Sequence, residues 1–213
     1  MTKKLFAEFL GTFTLIFLGA GAIVSGKADL QGVAFAHGLA IFVMVSAFAG
    51  ISGAHFNPAV SAAMLATKRI NVQEFIYFVA AQLIGATVAS IMLNYIYGNS
   101  NGYGLPAIAS GISTGAGFLA EVLGTALLVF VIFGVAVDKR SVASSHPGLP
   151  IGLTITAVIF SVGPITGAAL NPARWLGPAI VSGDWSNSWL YIVAPIAGAV
   201  FAALTYQSIA KPK

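Results

Sequence analysis

The polar residues of this chain are gathered into short breaks between six long apolar runs. The first run covers Leu5 to Ser25 and holds one carboxylate, Glu8. The others lie at roughly 33–51, 72–97, 115–137, 148–163 and 188–209. A helix that crosses a bilayer needs about 20 mostly apolar residues, so the pattern predicts six spans. No long polar stretch remains between them. One integral membrane domain, 1–213, without a soluble appendage is therefore expected. Lys3 and Lys4 ahead of an apolar run also fit a cleavable signal sequence. The same segment recurs inside the chain, however, and so belongs to the fold.

That recurrence divides the chain into halves at about 1–100 and 114–213. Ala7-Glu8-Phe9-Leu10-Gly11-Thr12 returns as Ala120-Glu121-Val122-Leu123-Gly124-Thr125. Gly38-Leu39 returns as Gly152-Leu153, and Ile51-Ser52-Gly53-Ala54 as Ile165-Thr166-Gly167-Ala168. Each half holds three spans, an odd number, so the second half must enter the membrane inverted. Inverted repeats place a site at the midplane, where broken helices meet.

The tripeptide Asn-Pro-Ala supplies those breaks. It occurs at Asn57-Pro58-Ala59 and at Asn171-Pro172-Ala173, with Arg174 following the second copy. Asn caps helix starts and Pro suits the first helical position. Two short helices are predicted, running to about Ala66 and Val181, too short to span. The fold class expected is all-α: six transmembrane helices plus two re-entrant half-helices. The stretches before the two starts would be extended. Non-helical backbone at that depth is tolerated only where it is buried or lines water. The carbonyls of Gly53, Ala54, His55, Gly167 and Ala169 would then form acceptor ladders along a pore.

Composition agrees with a membrane solvent: 58% of residues are hydrophobic and 8% charged. Charge orients the chain. With the N-terminus inside, Lys3, Lys4, Lys68, Arg69, Lys139, Arg140, Lys211 and Lys213 are cytoplasmic, eight of the ten basic residues. The outer stretches keep Lys27 and Arg174. The net charge of +4 follows from this topology and does not indicate nucleic acid. Trp185, Trp189 and Tyr191 suit an outer aromatic belt. Short termini favour a prokaryotic plasma membrane. Cysteine is absent, and no nucleophile, metal cluster, nucleotide loop or cofactor motif is present, so no enzyme is expected.

Two helix N-termini at the centre project positive potential, and with Arg174 they repel cations, hydronium included. The amides of Asn57 and Asn171 would donate to a passing oxygen and interrupt a proton wire. Neutral molecules that accept and donate would pass. Glu8 and Glu121 occupy identical contexts in the two halves. Proton coupling is one use for such groups. The other, preferred here, is to brace the amides of the re-entrant loops. His55 would brace its loop with its ring, and Trp175 would pack behind Arg174. His146, in the inner loop with Ser144 and Ser145, is either a solvated side chain or a pH gate.

On these motifs, over essentially its whole length, the chain resembles the aquaporin (major intrinsic protein) family. The resemblance implies a pore in each protomer and a homotetramer. It also implies an outer constriction of four positions, here His37, Ile159, Ala168 and Arg174. Strict water pores of the family have Phe, His, a small residue and Arg; glycerol pores have Trp, Gly, Phe and Arg. The set found here resembles the vacuolar-membrane (tonoplast) aquaporins of plants, which pass water and often ammonia, urea or hydrogen peroxide. His37 is expected to pair with a solute N–H or O–H. Trp175 and Ala179 stand where glycerol channels have Asp and a basic residue. A passive channel for water and small neutral solutes is thus expected. A glycerol facilitator is the alternative, and an ion-coupled transporter or a junctional protein are less fitting readings.

Overall fold

In lipid, backbone groups must be satisfied within their own segment, and an apolar run achieves that as a helix. The computed structural model describes residues 1–210. Lys211 and Lys213, which the charge pattern assigns to the inner side, lie outside the described residues. Six helices are long and apolar enough to cross a membrane: α1 (Thr2–Val24), α2 (Leu30–Ser52), α4 (Val72–Tyr97), α5 (Thr114–Val137), α6 (Gly148–Thr166) and α8 (Ser188–Ile209). Between them lie two short helices, α3 (Pro58–Ala66) and α7 (Pro172–Ser182). At about 1.5 Å per residue α3 is roughly 14 Å long, under half the ~30 Å apolar thickness of a bilayer. No strand occurs among the described residues.

Local chemistry sets the helix starts. Asp29 accepts from the Gly32 amide at 2.8 Å, Asn71 from Glu74 at 2.8 Å, and Ser113 from Ala116 at 3.2 Å. Two stretches depart from the α ladder and are π-helical: Leu15–Ala20 within α1 and Phe133–Val137 at the end of α5.

The packing repeats with the sequence. Helix α1 packs on α4 as α5 packs on α8, and α3 contacts α8 as α7 contacts α4. Each pair closes on a glycine. A Cβ on Gly85 would strike the Phe9 carbonyl, and one on Gly198 the carbonyl of Val122, the residue equivalent to Phe9. Helices α2 and α6 cross at Gly38 and Gly152, which are themselves equivalent. A Cβ on Gly38 would lie 2.6 Å from the Gly152 carbonyl oxygen, and a Cβ on Gly152 would collide with the Gly38 carbonyl. The outer faces are apolar: Ile76, Ile84 and Ile91 along α4 and Leu119, Leu123 and Leu127 along α5 are all exposed. Such faces suit lipid or another copy of the chain, not water.

One sequence expectation fails here. Tyr191 is not an interface anchor. It is fully buried, stacks on Trp175 at 5.5 Å, and donates its hydroxyl to the Thr166 carbonyl at 2.9 Å. Tyr191 stands two positions after Trp189 on α8 and so on another face of the helix, whereas Trp185 and Trp189 are about half exposed.

Candidate functional site: a central pore

Both half-helices start as their sequences dictate. Asn57 is extended (φ −158°), and its side-chain oxygen accepts from the Ala59 amide at 2.8 Å. Asn171 is likewise extended (φ −155°) and accepts from Ala173 at 2.9 Å and Arg174 at 3.3 Å. The two starts are tied crosswise. Asn57 Nδ2 donates to the Leu170 carbonyl at 2.9 Å, and Asn171 Nδ2 to the Phe56 carbonyl at 2.9 Å. An amide nitrogen carries two hydrogens, so each Asn keeps one N–H beyond this cross-tie.

The loops before the starts are wound tightly. Gly53, Ala54 and Phe56 have φ of 90°, 53° and 51°; Gly167, Ala168 and Leu170 have 79°, 47° and 54°. Left-handed Ala, Phe and Leu are strained, at about 1–3 kcal/mol each. Buried carboxylates hold them. Glu8 accepts from the amides of His55 (2.9 Å) and Phe56 (2.7 Å) and from the Ser52 hydroxyl (2.7 Å). Glu121 accepts from Ala169 (2.8 Å), Leu170 (2.8 Å) and the Thr166 hydroxyl (2.6 Å). Both carboxylates lie in fully buried residues.

A cavity of about 210 Å³ runs between the halves. Its wall includes Asn57 and Asn171 together with His37, Ile159, Ala168 and Arg174. Gly53, Ala54, His55 and Ala169 also line it. Gly167 does not: it caps α6 and lies against Pro106, where a Cβ would come within 2.8 Å of the Pro106 Cα.

Arg174 is 2% exposed and donates in two directions. Its Nε–H goes to His37 Nε2 at 3.1 Å, and Nη1 to the Gly104 carbonyl at 2.8 Å. Arg can only donate, so Nε2 of His37 accepts and its proton sits on Nδ1, which donates to the Val33 carbonyl at 2.8 Å. Both ring nitrogens are engaged. The expectation that a solute would pair with His37 fails for that reason; the ring instead aims the guanidinium. Of Arg174's five N–H groups, three remain beyond these two bonds.

A model of the family described as major intrinsic protein matches residues 1–206. The chain belongs to the major intrinsic protein family. Members are passive membrane channels and not enzymes, so the chain is an integral membrane channel protein. Among its relatives, Aquaporin NIP1-1 of Zea mays is 40% identical over 212 residues, covering 97% of this chain and 74% of that protein. Glycerol uptake facilitator protein-like 6 of Lactiplantibacillus plantarum is 43% identical over 209 residues, covering 94% and 95%. In three dimensions the chain is similar to the aquaglyceroporin from Plasmodium falciparum, with a TM-score of 0.90 at 28% identity, covering 99% and 97%.

Within this family fold, several site residues escaped the sequence. The uncharged loop between α4 and α5 does more than connect: Gly104 holds Arg174, and the Pro106 carbonyl accepts from Trp175 Nε1 at 3.1 Å. Gly104 has φ +65°, and a Cβ there would meet Ala20 at 3.1 Å. A long glycine-bearing loop in a compact domain was the available signal. Gln82 and Ser61 form a polar link, Gln82 Nε2 donating to Glu8 at 2.8 Å and to Ser61 Oγ at 3.0 Å, while His55 Nδ1 meets Ser61 Oγ at 3.0 Å. Gly19 leaves room for the His37 ring; a Cβ there would lie 2.5 Å from its Cδ2. His146 is exposed and does not line the cavity.

Proposed function

We propose that the chain forms a passive pore for water and small neutral solutes (ammonia, urea and hydrogen peroxide) that excludes protons and ions. The observation that carries this is the shared wall: one cavity touches both Asn residues and His37, Ile159, Ala168 and Arg174. The loop carbonyls supply acceptors, and the spare N–H groups of Asn57, Asn171 and Arg174 supply donors. A water that accepts from both Asn residues cannot relay a proton in line. The opposed helix N-termini and the guanidinium raise the potential against cations. Ile159 and Ala168 leave the constriction's other walls free of hydrogen bonds, which suits solutes larger than water.

The selectivity filter is accordingly His37, Ile159, Ala168 and Arg174, with Glu8 and Glu121 as loop braces. The pore occupies a single domain, in a homotetramer with inward N- and C-termini, in a prokaryotic plasma membrane. Glycerol passage is the second reading. The apolar filter walls and the relative named a glycerol uptake facilitator favour it.

Stopped-flow light scattering on proteoliposomes tests the proposal with water, ammonia, urea, peroxide and glycerol as separate solutes. Water flux above that of empty vesicles, with ammonia or urea flux beside it, is expected. Replacing His37 with Phe removes the acceptor that aims Arg174 and narrows the opening. Urea flux should then fall several-fold more than water flux. Background flux for every solute refutes the pore; water flux alone refutes the wider solute range.

A further inference from the structure

We propose that a hollow at the ends of α5 and α8 binds a phosphate group, either the headgroup phosphate of an acidic lipid or free phosphate. This second cavity measures about 400 Å³ and, of its lining residues, shares Val137 alone with the pore wall. Among the described residues, Arg69, Lys139 and Arg140 line it, with Asp138 the one carboxylate on its wall. Asp138 is already committed. It takes Arg140 Nε at 2.8 Å and Nη2 at 2.6 Å, and the Tyr206 hydroxyl at 3.0 Å. Neither ion pair among the described residues uses Arg69 or Lys139. The hollow thus keeps two cations with donors to give.

Its floor is apolar. The Arg69 guanidinium sits 5.5 Å above the centre of the buried Phe133 ring, a cation–π contact that leaves its N–H groups outside the ion pairs found among the described residues. A planar fork suits phosphate oxygens better than a point charge does. The π-helical end of α5 shapes the hollow. The Asp138 amide reaches back five residues to the Phe133 carbonyl at 2.9 Å. This wider turn sets Phe133 and Val137 on the wall and delivers Asp138, Lys139 and Arg140 to the rim. Such π turns are frequent at functional sites.

Positive charge at the inner ends of membrane helices is general. It does not by itself gather three cations around one hollow with an aromatic floor. Basic pockets of this kind between helices, at headgroup depth, accept phosphate-bearing lipid heads. The lipid source rests on the orientation proposed above; the phosphate site does not.

The test titrates detergent-solubilised full-length chain with dioleoyl phosphatidic acid, with dioleoylglycerol and with inorganic phosphate, reading binding by native mass spectrometry. A double variant, Arg69→Gln with Lys139→Gln, is run in parallel. Phosphatidic acid should bind while dioleoylglycerol does not, and the double variant should bind it about tenfold more weakly. Phosphate binding that is lost in the variant supports the site and makes the free anion its ligand. Equal binding of phosphatidic acid to both proteins, or no binding of either phosphate probe to the unaltered chain, overturns the proposal. Water flux through the variant in proteoliposomes shows that it is folded. Failure of the pore appears in the flux of the unaltered chain, and failure of this site appears only in binding.

Discussion

Arg174 shows how a side chain is fixed from two sides that sequence does not connect. His37 lies on α2 and Gly104 in the loop between α4 and α5, yet together they hold one guanidinium. Removing that charge should open the pore to cations. Arg174→Val proteoliposomes are expected to collapse an imposed pH gradient measurably faster than the unaltered chain, as read with an entrapped pH-sensitive dye. An unchanged leak would assign the barrier to the helix N-termini alone. Glu8 carries a different load, with four donors converging on its two oxygens. Gln offers one acceptor oxygen and adds two hydrogens among those donors. Glu8→Gln should lower stability by about 2–5 kcal/mol, since each buried donor left unpaired costs about 1–3 kcal/mol. Thermal unfolding in detergent measures it, and a variant as stable as the parent would refute the bracing role. The pairing of Glu8 with Glu121 was legible from position alone, because both copies sit in the same six-residue context. The His37–Arg174 bond was not. No rule of spacing predicts that residues 137 apart will meet, and the tautomer follows only once the partner is known.

At the scale of elements, the spans followed closely from the apolar runs, because length and hydropathy decide them in lipid. The half-helix starts followed from Asn-Pro, whose capping chemistry is local. What the sequence concealed was irregular: the π stretches, and the deep insertion of the loop between α4 and α5. The loop's course depends on tertiary contacts, since Gly104 lies against Ala20 and Pro106 against Gly167. The loop between α5 and α6 bears on pH. Hydrogen bonds from Arg140 hold the Asp138 carboxyl well below the usual carboxylate range, and the same pair holds the Arg140 guanidinium above its usual value. A lowered carboxyl contributes fully above its unfolded pKa, near 3.9, and loses that contribution as pH falls from there through the lower folded value. His146 is exposed and off the cavity wall. Osmotic permeability is therefore expected to be flat from about pH 5.5 to 8, a window around the reference His value. A sigmoidal change there that His146→Ala abolishes would restore the gate.

For the whole molecule, the absence of cysteine is an experimental convenience. Single substitutions Val142→Cys and Ser186→Cys place thiols on exposed loops, one after α5 and one before α8. In intact cells an impermeant maleimide should label Ser186→Cys and spare Val142→Cys until the membrane is broken. The opposite pattern would invert the orientation. Light scattering of the purified protein should give four times the mass of one chain, and a mass of one or two chains would remove the tetramer.

Gly38 and Gly152 meet carbonyl to glycine, each presenting to the other what the other presents to it. That is the contact geometry of a two-fold homodimer, in which residue i touches j and j touches i. Here it lies inside one polypeptide. The two halves meet as two subunits of a homodimer would, with the pore on the boundary between them. Substitutions that would have altered both walls at once can now alter one. His55 against Ala169, and Ser61 against Trp175, are pairs that such a boundary permits to diverge.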